Sequence, residues 1–83
     1  MAETRILGIQ IPNRVKEAAD VQNILTKFGC SIKTRLGLHD VVENYCSSSG
    51  LILLELTGDS AEMDKLEAEL KAVDSVNVQK MIF

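Results

Sequence analysis

The sequence predicts an α+β fold: a four-stranded antiparallel sheet with two helices on one face. Three observations carry this. Apolar residues alternate with period two in four stretches and recur at steps of three and four in two others. The stretches follow the order β-α-β-β-α-β. One strand is nearly all apolar, as a central strand can be, while another carries two cations, as an edge strand often does.

The first strand spans residues 4–11 (TRILGIQI), with Leu7, Ile9 and Ile11 on one face and Ile6, Gly8 and Gln10 on the other. Pro12 ends it, since proline has no N–H to give to a ladder. Asn13 then suits the N-cap of a helix over residues 14–28, on which Val15, Ala18, Val21, Leu25 and Phe28 form an apolar stripe. Gly29 stands where a helix commonly ends in the left-handed conformation. The second strand runs over residues 30–36, with Ile32, Thr34 and Leu36 alternating with Ser31, Lys33 and Arg35. Residues 37–49 (GLHDVVENYCSSS) read as a long connection. The third strand is residues 51–57 (LILLELT). Asp59 and Glu62 then resemble a capping box opening a second helix over residues 60–73, with Met63, Leu66, Leu70 and Val73 inward and Glu62, Asp64, Lys65, Glu67, Glu69 and Lys71 on the surface. The last strand covers residues 75–83. This order defines the ferredoxin-like plan, with strands one and three central and strands two and four at the edges.

The chain has 83 residues, 46% of them hydrophobic, and a formal charge of −3, which allows one domain. A chain this short buries only about 60–65% of the surface its unfolded form exposes, so a second subunit can supply missing burial. Nine basic against twelve acidic residues argue against direct nucleic-acid binding. No apolar run reaches the ~20 residues of a membrane helix, and no basic–apolar–small leader pattern is seen at the start. With only two cysteines, Cys30 and Cys46, the expectation is a cytoplasmic protein with reduced thiols.

Helices can cover one sheet face only. Ile52, Leu54 and Leu56 should join Leu7, Ile9 and Ile11 beneath them. The other face then carries Ile6, Gly8, Leu51 and Leu53, with Met81 and Phe83 nearby. An apolar patch of that kind marks an interface, and Gly8 would admit another backbone closely, so a homo-oligomer, dimer or tetramer, is expected.

The connection holds the only histidine, His39, beside Asp40, with Glu43, Tyr45 and Cys46 following. The plain reading is a polar loop whose His and acids meet water; the alternative makes His39 and Cys46 ligands of a divalent metal shared across an interface, although no CxxC or HxH spacing is present. The stretch SSSG lacks the glycine spacing of a phosphate loop. No catalytic constellation stands out, so a non-enzymatic role is expected.

The stretches IKTRLGLHDV, SGLILLELTGD and VNVQKMIF resemble a family of small bacterial proteins identified as iron-only hydrogenase system regulators. That family is similar to ACT domains and to the C-terminal metal-binding domain of nickel-responsive repressors. The resemblance implies a regulatory, ligand-sensing module working as an oligomer. It points to the turn after the first strand, with Asn13 and Arg14, and to Gly37, Leu38 and His39 as the places where a small-molecule effector would be held. The turn Pro12-Asn13-Arg14-Val15 lacks the glycine of the ACT turn. Val42, Asn44 and Gly50 stand where the repressors keep their nickel ligands, so that site does not carry over. With no DNA-binding segment expected before Thr4, a role in transcription would run through a protein partner.

Overall fold

In the computed structural model, residues 3–12, 15–42 and 45–83 are described, with the side chains of residues 3–12, 17–37 and 50–83. They form β1 (Arg5–Ile11), α1 (Val15–Lys27), β2 (Ile32–Val42), β3 (Tyr45–Leu56), α2 (Ser60–Lys71) and β4 (Asn77–Ile82). The sheet order is β2-β3-β1-β4 and every pairing is antiparallel, which is the ferredoxin-like arrangement expected from the element order. β1 and β3 are central. No described helix is long and apolar enough to cross a membrane.

The core lies between the sheet and the helices. Leu7, Ile9 and Ile11 pair in register with Leu54, Ile52 and Gly50 across β1 and β3. Their side chains, with those of Leu54, Ile52 and Leu56, are buried against Val21, Leu25 and Phe28 of α1 and its end, and Met63, Leu66 and Leu70 of α2. Burying each such side chain is worth about 1.5–3 kcal/mol gross. Helix α2 starts as its sequence requires: Asp59 is extended and its carboxylate accepts from the Ala61 N–H at 3.0 Å. Gly58, at φ 88°, makes the turn before it, in a region that costs a side chain dearly.

Several expectations need correction. Gly29 does not end α1 in the left-handed region; it opens a 3₁₀ turn, Gly29–Ser31, and β2 begins only at Ile32. The chain instead enters β4 through Ser75, at φ 68°, so β4 starts at Asn77 rather than residue 75. The long connection expected over residues 37–49 is mostly strand. β2 and β3 run on as a hairpin to Val42 and Tyr45, beyond Gly50, the last residue of β3 that pairs with β1. Loop composition misled there, because the polar and small residues of GLHDVVENYCSSS read as a connection while much of that stretch pairs backbone to backbone.

The faces of β2 also differ from a strict alternation. A register shift between Ile32 and Thr34 pairs Ile32 with Leu56 but Thr34 with Glu55. Ile32 packs on the core, while Leu36, opposite Leu53, falls on the uncovered face. One extra residue moves everything after it to the other side. Glu67, expected on a helix surface, is buried, as is Glu17 of α1. Cys30 lies in the 3₁₀ turn and is exposed, not at a strand start. Cys46 pairs with Val41, nine positions along β2 from Ile32, which at strand rise is well over roughly 20 Å even allowing for the two register shifts. A disulfide needs Cα atoms within about 7 Å, so these two cannot bridge within one protomer.

Candidate functional site

The uncovered sheet face is built by the register. Reading from β2 across β3 and β1 to β4, one row is Thr34, Glu55, Ile6 and Met81, and the next is Leu36, Leu53, Gly8 and Gln79. A third holds Leu51, Gln10 and Asn77, with Leu38 in register opposite Leu51. Leu36 is 51% exposed, Leu51 37% and Met81 55%, while Ile6 and Leu53 are half-buried. Phe83 follows Met81 in the alternation and is 76% exposed; its N–H donates to the Thr4 carbonyl at 2.9 Å, which ties the chain end beside β1. The face therefore gathers Ile6, Gly8, Leu51, Leu53 and Met81, as the alternation implies, and adds Leu36, which strict alternation would group with the core-packed Ile32.

Beside this apolar ridge, Gly8, Gln10, Leu51, Asn77 and Gln79 line a shallow depression of about 260 Å³. The charged side chain among the described residues of these rows is Glu55. It is neutralised in place: Lys33 Nζ stands 3.7 Å from one oxygen and the Thr34 hydroxyl donates to the other at 3.1 Å. Lys33 thus has a partner, and Arg35 donates to the Gln22 side chain of α1, so the two cations expected simply to guard an edge also tie β2 to its neighbours.

The second candidate region lies at one end of the sheet. His39 pairs with Gly50, which pairs with Ile11, and Gly37 pairs with Ile52 opposite Ile9. The segment Gly37, Leu38 and His39 is thereby brought level with the end of β1, two strand spacings or about 10 Å away. Asn13 and Arg14, expected to share that region, lie outside the described residues. Cys46 pairs with Val41, two residues beyond His39 on β2, past a register shift between His39 and Val41. Among the described residues no group of three or more His, Cys, Asp and Glu could hold a metal ion.

At the opposite end, Arg5 forms a charge cluster that the alternation hides. It is 4% exposed, and its Nε reaches Glu3 Oε2 at 2.6 Å while Nη1 reaches Asp64 Oδ1 at 2.7 Å and Glu67 Oε1 at 3.4 Å. Hydrogen bonds to Glu3 and then Asp64 raise the guanidinium above its ordinary value, outweighing burial. Glu67 also accepts from Lys71 at 2.8 Å and Lys80 at 3.2 Å. Burial pushes its carboxyl up, but the Lys71 and Lys80 hydrogen bonds win and hold it below the ordinary range. The cluster joins β1, α2 and β4. It clamps structure and presents no free group for chemistry.

This fold and the bare sheet face define a small protein of ACT-like, ferredoxin-like architecture. No family model matches the sequence, and no curated protein matches it. Among solved structures the chain is similar to the uncharacterized protein TM1266 from Thermotoga maritima, at 25% identity over 99% of both chains with a TM-score of 0.83. It is also similar to the ACT domain of a GTP pyrophosphokinase of Chlorobium tepidum, at 14% identity over 95% of this chain and 96% of that one, TM-score 0.62. A third similar structure is CPII from Thiomonas intermedia K12 bound to ADP, AMP and acetate, at 12% identity over 98% of this chain and 88% of that one, TM-score 0.51.

Proposed function

We propose that this protein is a non-enzymatic, cytoplasmic regulatory module that works as a homo-oligomer, dimer or tetramer, and senses a small-molecule effector. The bare sheet face carries this reading. Leu36, Leu51 and Met81 are each more than a third exposed on a chain of 83 residues, on a face whose described charge is already paired. Docking of subunits through that face supplies the burial a small chain lacks. The effector would sit where subunits meet at the sheet end, near Asn13, Arg14 and Gly37 to His39. It acts by binding one quaternary arrangement better than another and so biasing it. The ACT-like fold supports the reading, as does the likeness to CPII, which holds ADP, AMP and acetate. The resemblance of RLGLH, LTGD and the C-terminal strand to the iron-only hydrogenase system regulators supports a place in such a system, with a protein partner as the route of control.

The test is thermal denaturation with ADP, AMP, the twenty amino acids, Ni(II), Zn(II) and Fe(II), run beside light scattering on a size-exclusion column. An effector at 100 times its dissociation constant adds about 2.7 kcal/mol. An oligomer stabilised by a nucleotide or amino acid is the expected result. Stoichiometric metal binding that is lost in His39→Ala would replace this reading with a metal-responsive one. A monomer at 100 μM would overturn both.

A further inference from the structure

The open face has two unlike halves. On the β2–β3 half, Leu36 and Leu53 stand side by side as a ridge. On the β1–β4 half, the depression lined by Gly8, Gln10, Leu51, Asn77 and Gln79 lies beside them. Gly8 is the cause of the hollow, and nothing within the protomer calls for a glycine there. It is an ordinary extended residue in a central strand, Gly58 being the glycine with positive φ among those described. A Cβ built on Gly8 would meet Leu53 Cδ2 at 3.7 Å, an ordinary contact. Glycine in mid-strand costs roughly 0.5–1 kcal/mol relative to alanine, so the missing side chain answers to something outside the protomer.

We propose that a second copy of this chain packs sheet on sheet across this face, about a two-fold axis parallel to the strands between β1 and β3, each ridge of Leu36 and Leu53 lying over the other copy's depression at Gly8. The inference rests on the oligomer reading above and adds its geometry. Such an axis exchanges β2 with β4 and β3 with β1, so Leu53 of each copy faces Gly8 of the other and Leu36 faces Gln79. A two-fold interface must be complementary to itself, and a ridge beside a hollow on the same patch meets that requirement reciprocally. Charge agrees, since Glu55 is already paired with Lys33 and no isolated charge among the described residues would be buried. Area agrees as well. Four strands about 4.8 Å apart and about 23 Å long present roughly 440 Å² in projection, so two copies with their side-chain relief reach the ~1,000 Å² of a specific interface.

Disulfide trapping tests the axis. In a Cys30→Ser, Cys46→Ser background, Leu36→Cys and Gln79→Cys protomers are made separately, mixed, and oxidised with copper phenanthroline. Residues 36 and 79 lie three strand spacings apart in one protomer, about 14 Å, so any bond between them joins two copies. The expected result is a cross-linked dimer in the mixture and none from either variant alone. A dimer of Leu36→Cys linked to itself, or no link in a sample that light scattering shows to be dimeric, overturns the axis and leaves the oligomer standing. A monomeric wild type overturns the oligomer reading itself. Gly8→Ala supplies an independent check: the protomer should melt at the same temperature or higher, while the dimer weakens at least tenfold by sedimentation equilibrium. An unweakened Gly8→Ala dimer overturns the close approach at Gly8.

Discussion

The two faces of this sheet are made from the same kinds of residue and live in different surroundings. On one face Leu7, Ile9 and Leu54 are fully buried beneath the helices. On the other, Ile6 and Leu53 of the same central strands are half-buried, Leu51 is 37% exposed, and Leu36 and Met81 on the edge strands are 51% and 55% exposed. The difference teaches that an apolar residue in a central strand reports the sheet it belongs to, not the cover it receives. The covered face holds the protomer together; the bare face is left for assembly.

Breaking the covered face should have the largest effect. Leu54→Ala opens a cavity between sheet and helices, and a loss of about 2–5 kcal/mol in urea denaturation is expected, with no dependence on protein concentration. A loss below about 1 kcal/mol would mean that the helices do not seal that face. Next is the edge of the same layer, where Arg5→Met removes the cation between Glu3, Asp64 and Glu67. Leaving Glu67, the buried one of the three carboxylates, without this partner and removing a buried cation costs about 2–4 kcal/mol by the same measurement, less than a fully unpaired pair because Lys71 and Lys80 still hold Glu67.

Acid should sharpen the contrast more gently. Glu67 has its carboxyl lowered in the folded state, so its contribution is present above the unfolded carboxylate value, about 4.3, and is lost as pH falls through the lower folded value. Wild-type stability should therefore drop below about pH 4.3 more steeply than that of Glu67→Gln, which lacks the titrating group. Parallel pH profiles would remove Glu67 as the cause. The smallest effect belongs to the bare face. Leu51→Ala should change the stability of dilute protomer by about 0.5 kcal/mol or less, since the side chain is exposed there. It should nevertheless weaken the oligomer measurably in sedimentation equilibrium. A large protomer loss would place Leu51 in the core instead.

Much of this was legible in the residues. Period-two alternation in RILGIQI and the apolar run LILLEL placed the two central strands and named the six sheet residues of the core. Asp59 marked the start of α2 by its capping chemistry. The bare face followed from counting: two helices cannot cover both sides of four strands. Other features were not legible. The register shift after Ile32 has no signal in the sequence, so alternation groups Leu36 with Ile32 although the two lie on opposite faces. The arm beyond Gly50 looked like a loop because GLHDVVENYCSSS lacks the apolar alternation that marks a half-buried strand. Glu67 looked like a surface acid because a helix position alone does not tell that Arg5, Lys71 and Lys80 converge on it.

The sequence by itself determined the kinds of element, their order and the apolar character of both sheet faces, since these follow from periodicity, capping and chain length. Only the tertiary structure decided the residue-by-residue register of the strands, where one extra residue turns β2 over, and which buried charges find one another. Those outcomes depend on contacts between residues as far apart as Arg5 and Glu67, and no local pattern encodes a distance of that kind.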